Sequence, residues 1–112
     1  MTSQDTPDLA ATLPRLKQWH TDHRDELTAA GLTTTLRESP PEWPKASISL
    51  EIDGGRRLSQ LIVWDSGETE LDLADLDTGV HVPQHRIIST PNDLDDLLSQ
   101  QLTWLRHQPP ST

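Results

Sequence analysis

The sequence predicts an α+β domain: an N-terminal helix, an antiparallel sheet of about four or five strands and a C-terminal helix, with both helices packed on one sheet face. Two independent patterns support this prediction. Apolar and polar residues alternate from position 46 to position 52, which is typical of a strand with one solvated face. Leucines recur every three or four positions between 94 and 105, which indicates a helix with one buried stripe.

The first element is predicted to be a helix that ends near Ala30. Pro14 favours a regular start close to that residue, although Asp8 could cap an earlier one. Gly31 stands where a C-terminal cap is expected. Apolar residues and histidines at spacings of three and four predict one buried stripe: Leu9, Leu13, Leu16, His20, His23, Leu27 and Ala30.

Five further segments have the composition of strands, separated by turn residues. They cover Thr33 to Leu36, residues 46–52, Leu58 to Trp64, Glu68 to Ala74 and Val80 to Ile88. The third segment is apolar on both faces near its end, which predicts a central strand. Pro83 predicts an edge position or a bulge for the last one. The proline-rich residues 39–44 are expected to form a stiff loop.

The closing helix has a clear start signal. Thr90 is placed to cap it, Pro91 suits the first turn, and Asp93 completes a pair resembling a capping box. Its inner stripe is predicted to consist of Leu94, Leu97, Leu98, Leu102 and Leu105. We expect a single domain over residues 8–107, with disordered tails at 1–7 and 108–112.

Acidic residues are concentrated in one segment of the chain. The 112 residues include 18 acidic and 9 basic ones, a net charge of -9. This charge disfavours nucleic acids and anionic membranes, because binding to phosphate depends on Lys and Arg. Six carboxylates occur without an intervening Lys or Arg: Asp65, Glu68, Glu70, Asp72, Asp75 and Asp77. Such like charges repel one another, by amounts similar to the ~0.2–1 kcal/mol of a cross-strand pair, so we expect a positively charged partner.

No residue pattern indicates catalysis, a metal site or a cofactor, which predicts a binding protein and not an enzyme. The absence of cysteine excludes disulfides, thiolate zinc sites and thiol nucleophiles. His81 and His85 would point to the same side of a strand, but Pro83 separates them and no third ligand has the spacing of a zinc site. Ser66 lies in a turn sequence without the GxSxG elbow. The carboxylates are predicted on a solvated face, whereas a general acid needs burial.

The four tryptophans are the only aromatic residues besides histidine. Trp64 and Trp104 fall within apolar patterns and are expected in the core. Trp43 lies in the proline-rich loop, where it could pack on the prolines or anchor an interface.

Three short motifs carry a family resemblance. Trp64-Asp65-Ser66-Gly67, the turn Asp77-Thr78-Gly79 and the helix start at residues 89–94 are similar to those of the TriTu family of immunity proteins. The resemblance covers about residues 13–105, and the proline-rich loop departs from the family pattern. It implies a small cytoplasmic protein from a bacterial polymorphic toxin system that binds a cognate toxin and blocks its active site or substrate access.

The resulting hypothesis is an immunity protein that neutralises a toxin domain, such as a basic nuclease, through an acidic surface. The expected partner-binding residues are Asp65, Glu68, Glu70, Asp72, Asp75 and Asp77, with Trp43 as an anchor. The alternative hypothesis is a small acidic secretion-type chaperone or adaptor that holds an extended effector segment. A cytoplasmic location is expected, because the N-terminus is polar and no apolar run could cross a bilayer.

Overall fold

The computed structural model describes residues 12–106. The elements follow one another as α1 (Thr12–Ala29), β1 (Thr33–Glu38), β2 (Ser47–Asp53), β3 (Arg57–Trp64), β4 (Glu68–Asp75), β5 (His81–Ile87) and α2 (Pro91–Arg106). This order confirms the predicted α+β class. The expected tails, and the part of the first helix predicted before residue 12, lie outside the described residues.

The strands form one sheet in which each strand pairs with its neighbour in the chain. The spatial order is β1-β2-β3-β4-β5, and every pairing is antiparallel. The central position of β3 and the edge position of β5 agree with the predictions made from β3's composition and from Pro83. β1 continues beyond its predicted end at Leu36, because the pairing with β2 extends to Glu38 opposite Ile48.

Helix α1 packs along the β1 side of the sheet. Its regular structure includes Thr12, two residues before Pro14, where proline is tolerated within the first turn. Leu16 and Leu27 are its buried leucines. Gly31 follows with a φ of 86°, the left-handed conformation that a C-terminal cap requires and that glycine adopts at low cost.

The hydrophobic core lies between the helices and one face of the sheet. Leu50, Leu61 and Leu71 are partners across β2, β3 and β4, and each is at most 1% exposed. Helix α2 places its own buried residues in the same core: Leu94, Leu97, Leu98, Gln101 and Leu105. We call this side of the sheet the helix face.

Gln101, rather than Leu102, completes the inner stripe of α2, so that part of the predicted stripe was wrong. Position 101 follows Leu97 by four residues, and each step around a helix turns the side chain by about 100°, which leaves Leu102 at the core's margin. Gln101 Nε2 donates to Ser59 Oγ at 3.0 Å and lies 3.4 Å from the Leu50 carbonyl oxygen. These contacts satisfy the side-chain nitrogen of Gln101, whereas its buried Oε1 has no hydrogen-bond partner among the described residues.

The predicted capping box at the start of α2 is present. The Asp93 amide donates to Thr90 Oγ1 at 3.3 Å. Asp93 Oδ2 in turn accepts from the amides of Ser89 at 2.8 Å and Thr90 at 3.1 Å. These hydrogen bonds from the Ser89 and Thr90 backbone amides stabilise the carboxylate and lower the pKa of Asp93 below its usual range.

Candidate functional site

Both helices occupy the helix face, and no element among residues 12–106 packs over the opposite face of the sheet. We call that surface the open face. Strands β3, β4 and β5 each place every second side chain on the open face. These residues are Leu58, Gln60, Ile62 and Trp64 of β3, Glu68, Glu70, Asp72 and Ala74 of β4, and His81, Pro83, His85 and Ile87 of β5. All of these side chains are exposed or partly exposed.

The central strand contributes an apolar row to the open face. Leu58, Ile62 and Trp64 are partly exposed, and Trp64 shares this face with its partner Ser47. The prediction that Trp64 belongs to the core was therefore wrong. Trp104 does pack against the core, as predicted. Gln60 lies between Leu58 and Ile62, so the contiguous apolar pair of this row is Ile62 and Trp64. Contiguous apolar side chains on a solvated sheet face are a common feature of protein interfaces.

Beside this apolar row, β4 contributes an acidic row of Glu68, Glu70 and Asp72. Alternation along the strand directs all three toward the same face, and Glu70 pairs with Ile62 of β3 on one side and with His85 of β5 on the other. Within the described chain, the Glu70 carboxylate makes no side-chain hydrogen bond or ion pair. The open face thus combines apolar contact area with an uncompensated carboxylate at its centre.

The two neighbours of Glu70 have cationic or ionisable partners. Lys45 Nζ lies 3.0 Å from Glu68 Oε1, and His81 Nε2 lies 3.0 Å from Asp72 Oδ1. Both contacts are substantially solvent-exposed, where an ion pair stabilises a fold by only about 0–1 kcal/mol. They constrain the carboxylates weakly and leave them accessible to a partner.

Asp65 and Trp43 lie at one end of the sheet. The Ala46 amide lies 3.3 Å from Asp65 Oδ2, and the Asp65 amide donates to the Ala46 carbonyl at 2.9 Å. These bonds hold the end of the 39–46 loop against the β3–β4 turn. Trp43, within that loop, is 57% exposed, so its side chain is not covered by the neighbouring prolines.

Asp75 and Asp77 lie at the other end of the sheet and differ from each other. Asp77 is exposed and forms an ion pair with Arg56. Asp75 points to the helix face and is only 4% exposed. Its carboxylate accepts hydrogen bonds from the Arg57 side chain at 3.0 Å and from the Asp77 and Thr78 amides at 2.9 and 3.1 Å. The six acidic residues therefore do not form one continuous surface, and Asp75 serves the turn.

Arg57 links this turn to α2. Besides contacting Asp75, it donates to the Trp104 carbonyl at 3.0 Å, and its guanidinium carbon lies 4.0 Å from the Trp104 ring centroid. The Trp104 indole donates to the Ala74 carbonyl at 3.1 Å. These contacts fix α2 against β3 and β4, the strands that carry the apolar and acidic rows on the opposite side of the sheet.

The pH dependence of stability provides a test of the buried Asp75 contact. Hydrogen bonds from Arg57 and the Thr78 amide hold the pKa of Asp75 below its usual range. A carboxylate with a lowered folded-state pKa stabilises the fold above its unfolded pKa of about 3.9, and this stabilisation disappears as pH falls through the folded pKa. We expect Asp75→Asn to lower the free energy of unfolding at neutral pH and to flatten its decline below about pH 4.

Urea denaturation across the acidic range measures this effect. Asp77→Asn is the matched control, since it removes a carboxylate from the same turn and the Asp77 side chain is 57% exposed. A wild-type acid profile in Asp75→Asn would contradict the assigned role of the Arg57 contact.

The two histidines of α1, His20 and His23, contact their own chain. His20 Nε2 lies 2.9 Å from Thr34 Oγ1, and burial together with the nearby charge of Arg24 lowers the pKa of His20. His23 Nδ1 lies 2.8 Å from the Trp19 carbonyl oxygen. Across residues 12–106, no group of three or more His, Asp and Glu side chains converges in a way that could hold a metal ion. None of the helices there is long and apolar enough to cross a membrane.

Comparison with known protein families assigns most of the chain to one family model. No curated protein matches the chain. The family model described as immunity protein TriTu matches residues 15–104, which include the whole sheet and most of both helices. This match extends over most of the sequence and confirms the resemblance to the family, so the chain belongs to the TriTu family of immunity proteins.

Proposed function

We propose that this protein acts in the cytoplasm as a stoichiometric inhibitor that binds a cognate toxin domain through the open face and neutralises it. The observation that carries the proposal is the pairing of an apolar row on the central strand with an acidic row on the next strand. Ile62 and Glu70 are direct partners at its centre. This role requires no catalytic group and no cofactor.

The charge of the open face supports a basic target, such as a nuclease whose active site binds phosphate. Glu70 has no compensating partner within the described residues, and the whole chain carries a net charge of -9. Complementary charge accelerates encounter and orients the partners, while apolar contacts at the centre slow dissociation. In this arrangement, Glu68, Glu70 and Asp72 occupy positions near those of the substrate phosphates. Asp65 and Trp43 extend the surface at one end, and Asp77 lies at the other.

The backbone groups at the outer edge of β5 favour docking of the toxin on the open face over addition of a strand at that edge. The Asp75 amide donates a hydrogen bond to the Val80 carbonyl, and the Ile88 amide donates one to the Gly67 carbonyl. Even-numbered residues of β5 therefore direct their backbone groups toward β4, and Pro83 directs its nitrogen outward. Because proline has no amide hydrogen, the outer edge lacks a donor at its middle. A chaperone that held an extended effector segment at this edge would pair with it as an added strand. The missing donor disfavours such pairing.

Co-expression with the protein encoded by the adjacent reading frame tests the proposed function. We expect rescue of growth and co-purification of a one-to-one complex, and we expect the purified folded toxin domain to bind directly. A neighbour that is harmless alone, or that kills in spite of co-expression, would contradict immunity. Binding restricted to an unfolded segment would favour the chaperone hypothesis instead.

A further inference from the structure

A depression of about 250 Å³ lies on the open face beside the acidic row. Two cross-strand rows border it. One runs from Glu51 through Gln60 to Asp72, and the other consists of Leu58, Ala74 and His81. Ala74 is the smallest side chain in these rows and lies between two larger ones, which accounts for the depression.

The depression is negatively charged. The Glu51 carboxylate has no hydrogen-bond or ion-pair partner within the described chain, and Asp72 contacts His81 through only one of its carboxylate oxygens. None of the lining residues is a Lys or an Arg. The two carboxylates lie two strands apart, about 10 Å at the usual strand spacing, so a single cationic group between them could approach both.

The lining also contains apolar surface. Leu58 and Ala74 lie beside the carboxylates and provide contact area for methylene groups. An apolar surface next to two acids matches the chemistry of a long basic side chain, which buries its stem and presents a charged end. The Gln60 side chain, between the two acids, offers a carbonyl oxygen as a further acceptor.

We propose that this depression receives an arginine or lysine side chain of the toxin. This inference rests on the proposed function and assigns a specific anchoring point to it. The inserted cation is held between Glu51 and Asp72, and its stem packs on Leu58 and Ala74. The depression thereby selects toxins that present a basic side chain at the matching position, while Glu70 acts on the toxin's charge from outside the depression.

The test fills the depression without changing its charge. In binding titrations with the toxin domain from the adjacent reading frame, Ala74→Leu is expected to weaken affinity by about tenfold or more, since even one extra methylene in a pocket alters affinity by about 10-fold or more. Ala29→Leu, the same change at an exposed position of α1 away from the open face, is the matched control and is expected to bind like the wild type. Circular dichroism and thermal unfolding of both variants verify that the fold is intact.

Alanine substitution of the toxin's arginines and lysines, one at a time, identifies the inserted side chain. For that residue, the loss should not add to the losses caused by Ala74→Leu or Glu51→Gln, because residues in contact are coupled. Additive losses for every basic residue, or wild-type affinity of Ala74→Leu, would overturn the inference while leaving open-face docking intact. Failure of the wild-type protein to bind the toxin would instead overturn the proposed function, and the depression's role with it.

Discussion

Reversal of the three acidic-row charges, Glu68→Lys, Glu70→Lys and Asp72→Lys, is expected to weaken toxin binding by at least about 3 kcal/mol at low salt, more than a hundredfold in Kd. Each substitution replaces an attraction to a basic toxin with a repulsion on the proposed contact surface. The effect should shrink as salt increases, because screening acts on exposed charges. Calorimetric titration at two ionic strengths measures both quantities.

A control for net charge is available on α1. Three substitutions there, Asp22→Lys, Asp25→Lys and Glu26→Lys, alter exposed residues away from the open face. Each set of three reversals changes the net charge from -9 by +6, to -3. If the α1 variant loses as much affinity as the open-face variant, the overall charge matters and the location does not. Unchanged binding by the open-face variant, with its fold intact, would remove the acidic row from the interface.

Substitution of two adjacent residues of β3 is expected to separate stability from binding. Leu61 is fully buried on the helix face, so Leu61→Ala should lower the free energy of unfolding by about 3 kcal/mol through lost packing and a residual cavity. Ile62 is partly exposed on the open face, so Ile62→Ala should cost about 1 kcal/mol or less in stability. In binding, Ile62→Ala should weaken the toxin complex by about 1–2 kcal/mol, because an apolar interface contact is lost.

Urea denaturation and toxin titration of the same two proteins provide the measurements. Ile62→Ala serves as the control for Leu61→Ala in stability, because the two sites are one residue apart on the central strand. Equal destabilisation by both variants would mean that the open face is covered by the chain itself. Wild-type toxin affinity of Ile62→Ala would mean that the apolar row lies outside the interface.

The sequence predicted those parts of the fold that depend on neighbouring residues. The capping box of Thr90 and Asp93 is a local arrangement of side chain and backbone, and it is present. The cap at Gly31 depends on the freedom of one residue and is present as well. Alternation correctly located β2, because its apolar residues lie on one face only.

Sequence reasoning failed where more than one face or more than one segment was involved. β3 is apolar on both faces, and alternation cannot tell which face the helices will cover, so Trp64 was misplaced. The charge of the acidic segment seemed uncompensated, because the basic side chains that pair with its carboxylates come from other segments of the chain. One of these contacts had a signal in the sequence. Counting outward from the turn at residues 65–67 places Arg57 opposite Asp75, which is the observed register.

The sequential strand order also bears on how rapidly the protein becomes active. Each of the four strand pairings joins neighbours in the chain, so the sheet can assemble hairpin by hairpin with only short loops to close. The entropy lost on closing a loop grows with its length, and domains dominated by near-neighbour contacts fold faster than those with distant pairings. For the proposed role as a toxin inhibitor, this topology would shorten the interval between synthesis and protection.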